Sequence, residues 1–266
     1  MSRRAGRWRI ETARSITLSR IEVTVDGVAV YEAPVPSESV APRHELLERA
    51  SKGPPLDVAE RGSMLLGTTG QAEVVACGPV RDGVCVVARR GFGSSGTAGL
   101  SPSALVSSYE VAERVPDGSS ALWLRSGALL GARGTTEEVT GVWSVEGLTG
   151  ELSLEMQTVA IPEPAELAAS VEAMQGIEDL DDHGIEISVL GLGEATVAGL
   201  PGEMLRYRMR APDGDVYQAI WSFAGTPGSI SEPYARLELE TAASEWLLAE
   251  AFWTELVEGV GRDGSD

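Results

Sequence analysis

Apolar and polar residues alternate along the first thirty-five positions as they do in half-buried strands. Ile21, Val23 and Val25 alternate with Glu22 and Thr24, Asp26-Gly27 follows, and Val28-Ala29-Val30-Tyr31 resumes the run. An Asp-Gly pair between two such runs predicts a tight hairpin, because its favoured turn needs positive φ at both central residues. Ala33-Pro34-Val35-Pro36-Ser37 breaks the pattern. Residues 42–52 then predict a short helix with Leu46, Leu47 and Ala50 on one side, stopped by Gly53-Pro54-Pro55. Residues 73–77 and 84–88 predict a second hairpin around Arg81-Asp82-Gly83. Ser101-Pro102 supplies an N-cap with proline at the first helical position, which predicts a helix running to about Arg114. Further strands are expected at 121–125, 128–132 and 139–145.

The second half repeats these patterns. Leu152, Leu154 and Met156 alternate with Ser153, Glu155 and Gln157. Residues 163–175 predict a helix ended by Gly176, and Glu178-Asp179-Leu180-Asp181-Asp182-His183 reads as a solvated acidic loop. In the strand 204–210, Leu205, Tyr207 and Met209 face one side and Arg206, Arg208 and Arg210 the other. Ala211-Pro212-Asp213-Gly214 leads into a strand over 216–223, and Tyr234–Glu240 forms another with Leu237 and Leu239 inward. A last helix, about Ala243 to Glu258, puts Trp246, Ala249, Trp253 and Leu256 on one face. Strands in meanders with helices inserted between them indicate an α+β protein with antiparallel sheets. The same hairpin–helix–hairpin order on both sides of 133–136 predicts two domains, 1–135 and 136–266, each an antiparallel sheet with inserted helices.

Charge sharpens the division. Residues 1–133 hold 16 basic and 14 acidic side chains, whereas 134–266 hold 5 basic and 26 acidic ones, within a net charge of −19. Such a half repels phosphate backbones, which argues against nucleic acid as a ligand, and it can steer a basic protein toward itself. No run approaches the roughly 18 apolar residues of a membrane-spanning helix. The N-terminus is basic, but Glu11, Arg14, Arg20 and Glu22 interrupt any signal-peptide core. The expectation is a cytoplasmic chain as it stands, and a periplasmic one if a leader precedes it.

Candidate chemistry is sparse. Gly91-Phe92-Gly93-Ser94-Ser95-Gly96 satisfies a dinucleotide-binding pattern, but its glycines precede the expected helix by several residues, so it reads as a loop. His183 lies beside Asp179, Asp181 and Asp182, yet a second histidine or cysteine ligand is missing and neighbouring side chains diverge. The arginine stripe 206, 208 and 210 reads as an anion site or, preferably, as cross-strand partner to Glu238 and Glu240. The six tryptophans, at 8, 123, 143, 221, 246 and 253, read as core. Cys77 and Cys85 flank a turn on what read as paired strands, where they could sit opposite each other, but in a reducing compartment two buried thiols are expected. No catalytic residue, metal or cofactor is expected.

Several motifs in the last third form a recognisable series. Gly199-Leu200-Pro201-Gly202-Glu203 opens the arginine-bearing strand, Tyr217, Trp221 and Phe223 follow, then Gly225-Thr226-Pro227. Glu232-Pro233-Tyr234-Ala235-Arg236-Leu237-Glu238-Leu239-Glu240 and a closing helix with Phe252-Trp253 complete it. This series resembles the C-terminal domain of the Tli4-like immunity proteins of type VI secretion. Gly6-Arg7-Trp8-Arg9-Ile10 and Asp26-Gly27-Val28 are similar to that family's opening strand and hairpin.

The resemblance implies a two-domain α+β protein without catalytic activity. Such a protein binds and neutralises a cognate antibacterial effector of lipase or phospholipase type; the acidic second domain and the cleft between domains are expected to block the effector's substrate entrance. Glu178, Asp179, Asp181 and Asp182 are the candidate contacts, on exposure and charge. The rival readings are a secretion-system adaptor and a hydrolase using His183 with an unmarked serine.

Overall fold

The computed structural model describes residues 2–35, 40–50, 57–68, 74–78, 83–90, 101–111, 121–132, 134–158, 167, 169, 171 and 184–262. In chain order the strands of the first half are β1 (Ser2–Ala5), β2 (Trp8–Glu11), β3 (Ile16–Val25), β4 (Val28–Pro34), β5 (Asp57–Arg61), β6 (Met64–Thr68), β7 (Val74–Cys77), β8 (Val84–Arg90), β9 (Tyr109–Val111), β10 (Ala121–Trp123) and β11 (Gly127–Leu130). They are followed by β12 (Glu137–Val145), β13 (Glu151–Gln157), β14 (Glu186–Val197), β15 (Leu200–Arg210), β16 (Val216–Phe223), β17 (Tyr234–Ala242) and β18 (Val260–Arg262). The helices are α1 (Val40–Ala50), α2 (Pro102–Ser107) and α3 (Trp246–Gly259). The protein is α+β, built mainly of antiparallel sheet with helices inserted between strands.

Two compact units form, one from residues 5–7 and 21–139, the other from 1–4, 8–20 and 140–266. In the first unit, Asp26 (φ 47) and Gly27 (φ 72) make the tight turn from β3 to β4. The Asp26 carboxylate accepts hydrogen bonds from the Thr135 amide at 2.8 Å and the Thr136 amide at 3.0 Å. Beyond β4 the order is β8, β7, β6 and β5, all antiparallel. The predicted apolar side of α1 meets this sheet, with Leu46, Leu47 and Ala50 packed among Val35, Leu65, Cys77, Cys85 and Val87.

Ser101 caps α2 by accepting from the Ala104 amide at 3.2 Å. The helix ends at Ser107, not near Arg114 as the pattern predicts. The Ser107 and Ser108 hydroxyls bond back to the carbonyls of Ser103 and Leu105, each at 2.8 Å. Such hydroxyls compete with the helical backbone, and Tyr109–Val111 leave it to pair with β11.

The second unit orders its strands β14-β15-β16-β17-β13. α3 lies on this sheet with Ala249, Phe252, Trp253 and Leu256 buried. Of the helix predicted over 163–175, only Leu167, Ala169 and Val171 are described, and they are helical. Five tryptophans are buried, but Trp246 is half-exposed, with the Arg208 guanidinium 5.8 Å from its ring centre, so it is a cation–π partner and not core. Among the described residues, no helix is long and apolar enough to cross a membrane.

Candidate partner-binding site

The register of the second unit explains how one sheet carries two kinds of surface. One transverse row runs Arg206, Ala219, Leu239 and Leu152; the next runs Leu205, Ile220, Glu238 and Ser153. Directly opposed residues share a face, so the first row belongs to the α3 side and the second to the other side. On the α3 side, Leu152, Leu154, Leu237 and Leu239 are fully buried. The other side is apolar only over β14–β16, where Leu205, Tyr207 and Ile220 pack with Leu167 and Val171. Over β13 and β17 it is polar, with Glu151, Ser153, Glu155, Gln157, Arg236, Glu238 and Glu240 half-buried or exposed.

Among the described residues of this face, some charges meet an opposite charge and others face a like one. Arg236 donates to Glu238 at 2.7 and 3.0 Å. Gln218 also donates to Glu238, and the Tyr207 hydroxyl donates to Gln218. Burial pushes the Tyr207 hydroxyl above its ordinary pKa, and the charges of Glu238 and Glu240 push it further. Burial works against the Arg236 charge, but Glu238 beside it outweighs burial and holds the guanidinium more firmly protonated.

By contrast, Glu151 stands directly opposite Glu240, and Glu194 directly opposite Glu203. Like charges in that arrangement repel, weakly where the side chains are exposed, as those of Glu151, Glu194 and Glu240 are. Glu194 and Glu203 line a cleft of about 660 Å³ with Leu167, Pro201, Ser222 and Phe223. One Glu203 oxygen accepts from the Leu167 amide at 2.7 Å. The face therefore joins an acidic surface to a cleft with apolar walls, a shape and charge suited to basic, partly apolar protein surface.

These glutamates are missed in the sequence reading, although a signal for one pair exists. Ala198 (φ 52) and Gly199 (φ 78) form a two-residue hairpin turn, which places Glu194 and Glu203 symmetrically about it. Glu178, Asp179, Asp181, Asp182 and His183 lie outside the described residues, as do Gly91–Gly96. Among the described residues, no group of three or more histidine, cysteine or acidic side chains is placed to hold a metal ion.

The arginine stripe requires a correction. Arg206, Arg208 and Arg210 stand on the α3 side, whereas Glu238 and Glu240 point to the other side, so they do not pair. Arg206 meets Glu250 of α3, Arg208 lies over Trp246, and Arg210 meets Glu186 at 3.0 Å and Asp215 at 3.8 Å.

No family model matches the chain, and no curated protein matches it in sequence. Solved structures do match over nearly the whole length. The immunity protein TplEi of the type VI secretion system of Pseudomonas aeruginosa, complexed with "L" peptide, matches with a TM-score of 0.72. Identity is 15%, over 98% of this chain and 97% of that one. The apo form of TplEi matches with a TM-score of 0.69 and 15% identity, over 100% of this chain and 98% of that one. A chain of the Tle4-Tli4 complex gives the same TM-score, 0.69, with 15% identity over 100% and 98%.

The chain shares the fold of the immunity protein TplEi. The motif glycines and glutamate of this chain have definite tasks in that fold. Gly202 has no side chain because a Cβ there would lie 2.4 Å from the Ser222 carbonyl oxygen and 2.6 Å from the Trp221 indole nitrogen. The indole crosses that bare position and donates to the Ala195 carbonyl at 2.9 Å. Glu203 then fixes the Leu167 segment to the sheet.

Proposed function

We propose that this chain is a non-catalytic immunity protein that binds a cognate antibacterial effector of lipase or phospholipase type and blocks its substrate entrance. The fold likeness to type VI immunity proteins supports binding and neutralisation of an effector. The observation that carries the reading is the pair of opposed glutamates at each of two places on one sheet face, 151 with 240 and 194 with 203. A fold selected for stability alone gains by replacing one member of each pair; a basic effector surface instead turns that repulsion into attraction on binding. The acidic segment Glu178, Asp179, Asp181 and Asp182 is proposed to add to the same field.

Blocking by occupancy needs only a surface that fits and stays. Charge of one sign raises the encounter rate above the unsteered value of about 10⁵–10⁶ M⁻¹s⁻¹, and the apolar walls of the cleft slow dissociation. The test is capture of the adjacent gene's product by the purified chain at low and high salt. A one-to-one complex whose association slows with salt supports the reading, and the absence of a complex at both salt concentrations overturns it.

A further inference from the structure

Two nucleophilic side chains in the first unit are not used by the effector reading. Cys77 ends β7 and Cys85 lies near the start of β8. Cys77 stands opposite Val87, and the Gly78 amide donates to the Val86 carbonyl at 2.8 Å, so the two cysteines sit diagonally on one face of the hairpin. Both are fully buried, beneath α1 and among Ala33, Val35, Leu46, Leu47 and Leu65. Their sulfurs are 2.9 Å apart, less than 1 Å beyond the bonded separation of about 2.05 Å.

We propose that Cys77 and Cys85 form a disulfide when the chain folds in contact with a small-molecule disulfide oxidant such as oxidised glutathione. The Cys85 sulfur also approaches the Gly78 carbonyl at 3.0 Å, close to where the chain turns from one strand to the next. Closing the remaining gap asks for a shift of less than 1 Å beside this turn, where Cys77 is paired with Leu65 of β6 and Cys85 with Ala33 of β4.

Both sulfurs are fully buried in the folded chain, so the exchange takes place while the site is still open during folding. One cysteine loses its proton to solvent, and its thiolate attacks one sulfur of the oxidant and expels one glutathione thiolate. The other cysteine then loses its proton and attacks the sulfur of the first, expelling the second glutathione thiolate and closing the Cys77–Cys85 bond. The two cysteines lose two electrons in total, the oxidant is reduced to two thiols, and the released thiolates take up protons from water.

The bond would close a short loop, so its entropic effect on the unfolded chain is modest, on the order of 5 °C in Tm. It would pin the β7–β8 hairpin under α1 whether or not the chain binds an effector. An oxidising compartment supplies this class of oxidant, whereas a reducing one keeps the two thiols seen here.

The experiment refolds the full reduced chain in a mixture of reduced and oxidised glutathione, then alkylates it under denaturing conditions and measures intact mass. The expected product is two hydrogens lighter than the reduced chain and takes no alkyl group. Its Tm falls on adding reductant, and the Cys85→Ser variant shows neither property. Two alkyl groups per chain overturn the proposal, as does a glutathione adduct or a disulfide-linked dimer in place of the internal bond.

Discussion

The guanidinium of Arg206 on β15 and the carboxylate of Glu250 on α3 meet at 2.5 Å, and the Tyr217 hydroxyl donates to the same carboxylate at 3.1 Å. Arg206 and Glu250 are 28% and 21% exposed, so neither recovers full hydration if its partner is removed. Glu250→Ala should therefore cost about 1–3 kcal/mol, more than an exposed ion pair. Urea unfolding followed by tryptophan fluorescence checks this, and Glu250→Gln should recover part of the loss by keeping an acceptor for Tyr217.

Ala198 occupies a left-handed conformation, φ 52, at the first central position of the β14–β15 turn. A Cβ costs roughly 1–2 kcal/mol there, whereas asparagine tolerates the conformation. Ala198→Asn should raise stability by about 0.5–1 kcal/mol with an unchanged urea m-value.

Asp26 makes stability depend on pH in the acid range. Burial opposes its ionisation, but hydrogen bonds from the Thr135 hydroxyl and the Thr136 and Thr135 amides outweigh burial and lower its pKa below the ordinary carboxyl value. A lowered folded pKa gives stability that is complete above the unfolded value and lost as pH falls through the folded one. Wild type should exceed Asp26→Asn in stability at neutral pH, with the gap narrowing below about pH 4. Chemical unfolding of both proteins across pH 2 to 7 reads this directly; a gap that stays constant contradicts it.

Alternation revealed much of this fold because many strands bury one face. The β3–β4 and β7–β8 hairpins, β13, β17 and α3 all fall near their predicted places. Strands without that imbalance were not visible. In β14 the register shifts between Val189 and Gly191, two glycines interrupt the side-chain pattern, and Leu190 and Leu192 are exposed. β5 is exposed throughout, so Asp57–Arg61 carries no apolar signal.

The site was less legible than the fold. Arg206 and Glu238 could each be assigned to a face of their own strand, but which faces coincide depends on register across three strands. The opposed glutamates likewise exist only as pairs. Glu151 and Glu240 are far apart in sequence and meet through the β13–β17 pairing.

Replacing both Glu151 and Glu240 with glutamine separates stability from binding. Removing the repulsion should stabilise the isolated protein by a few tenths of a kcal/mol, while slowing capture of the effector and weakening its salt dependence. Neutralising Glu178, Asp179, Asp181 and Asp182 together should also slow capture. Stopped-flow association at several salt concentrations measures both; an unchanged rate removes that set of residues from the proposed surface.

The most direct measurement titrates the purified adjacent-gene effector with this chain while following hydrolysis of a lipid substrate. If the chain blocks the effector, activity falls linearly and vanishes at one chain per effector. Full activity at a large excess of the chain would contradict blocking.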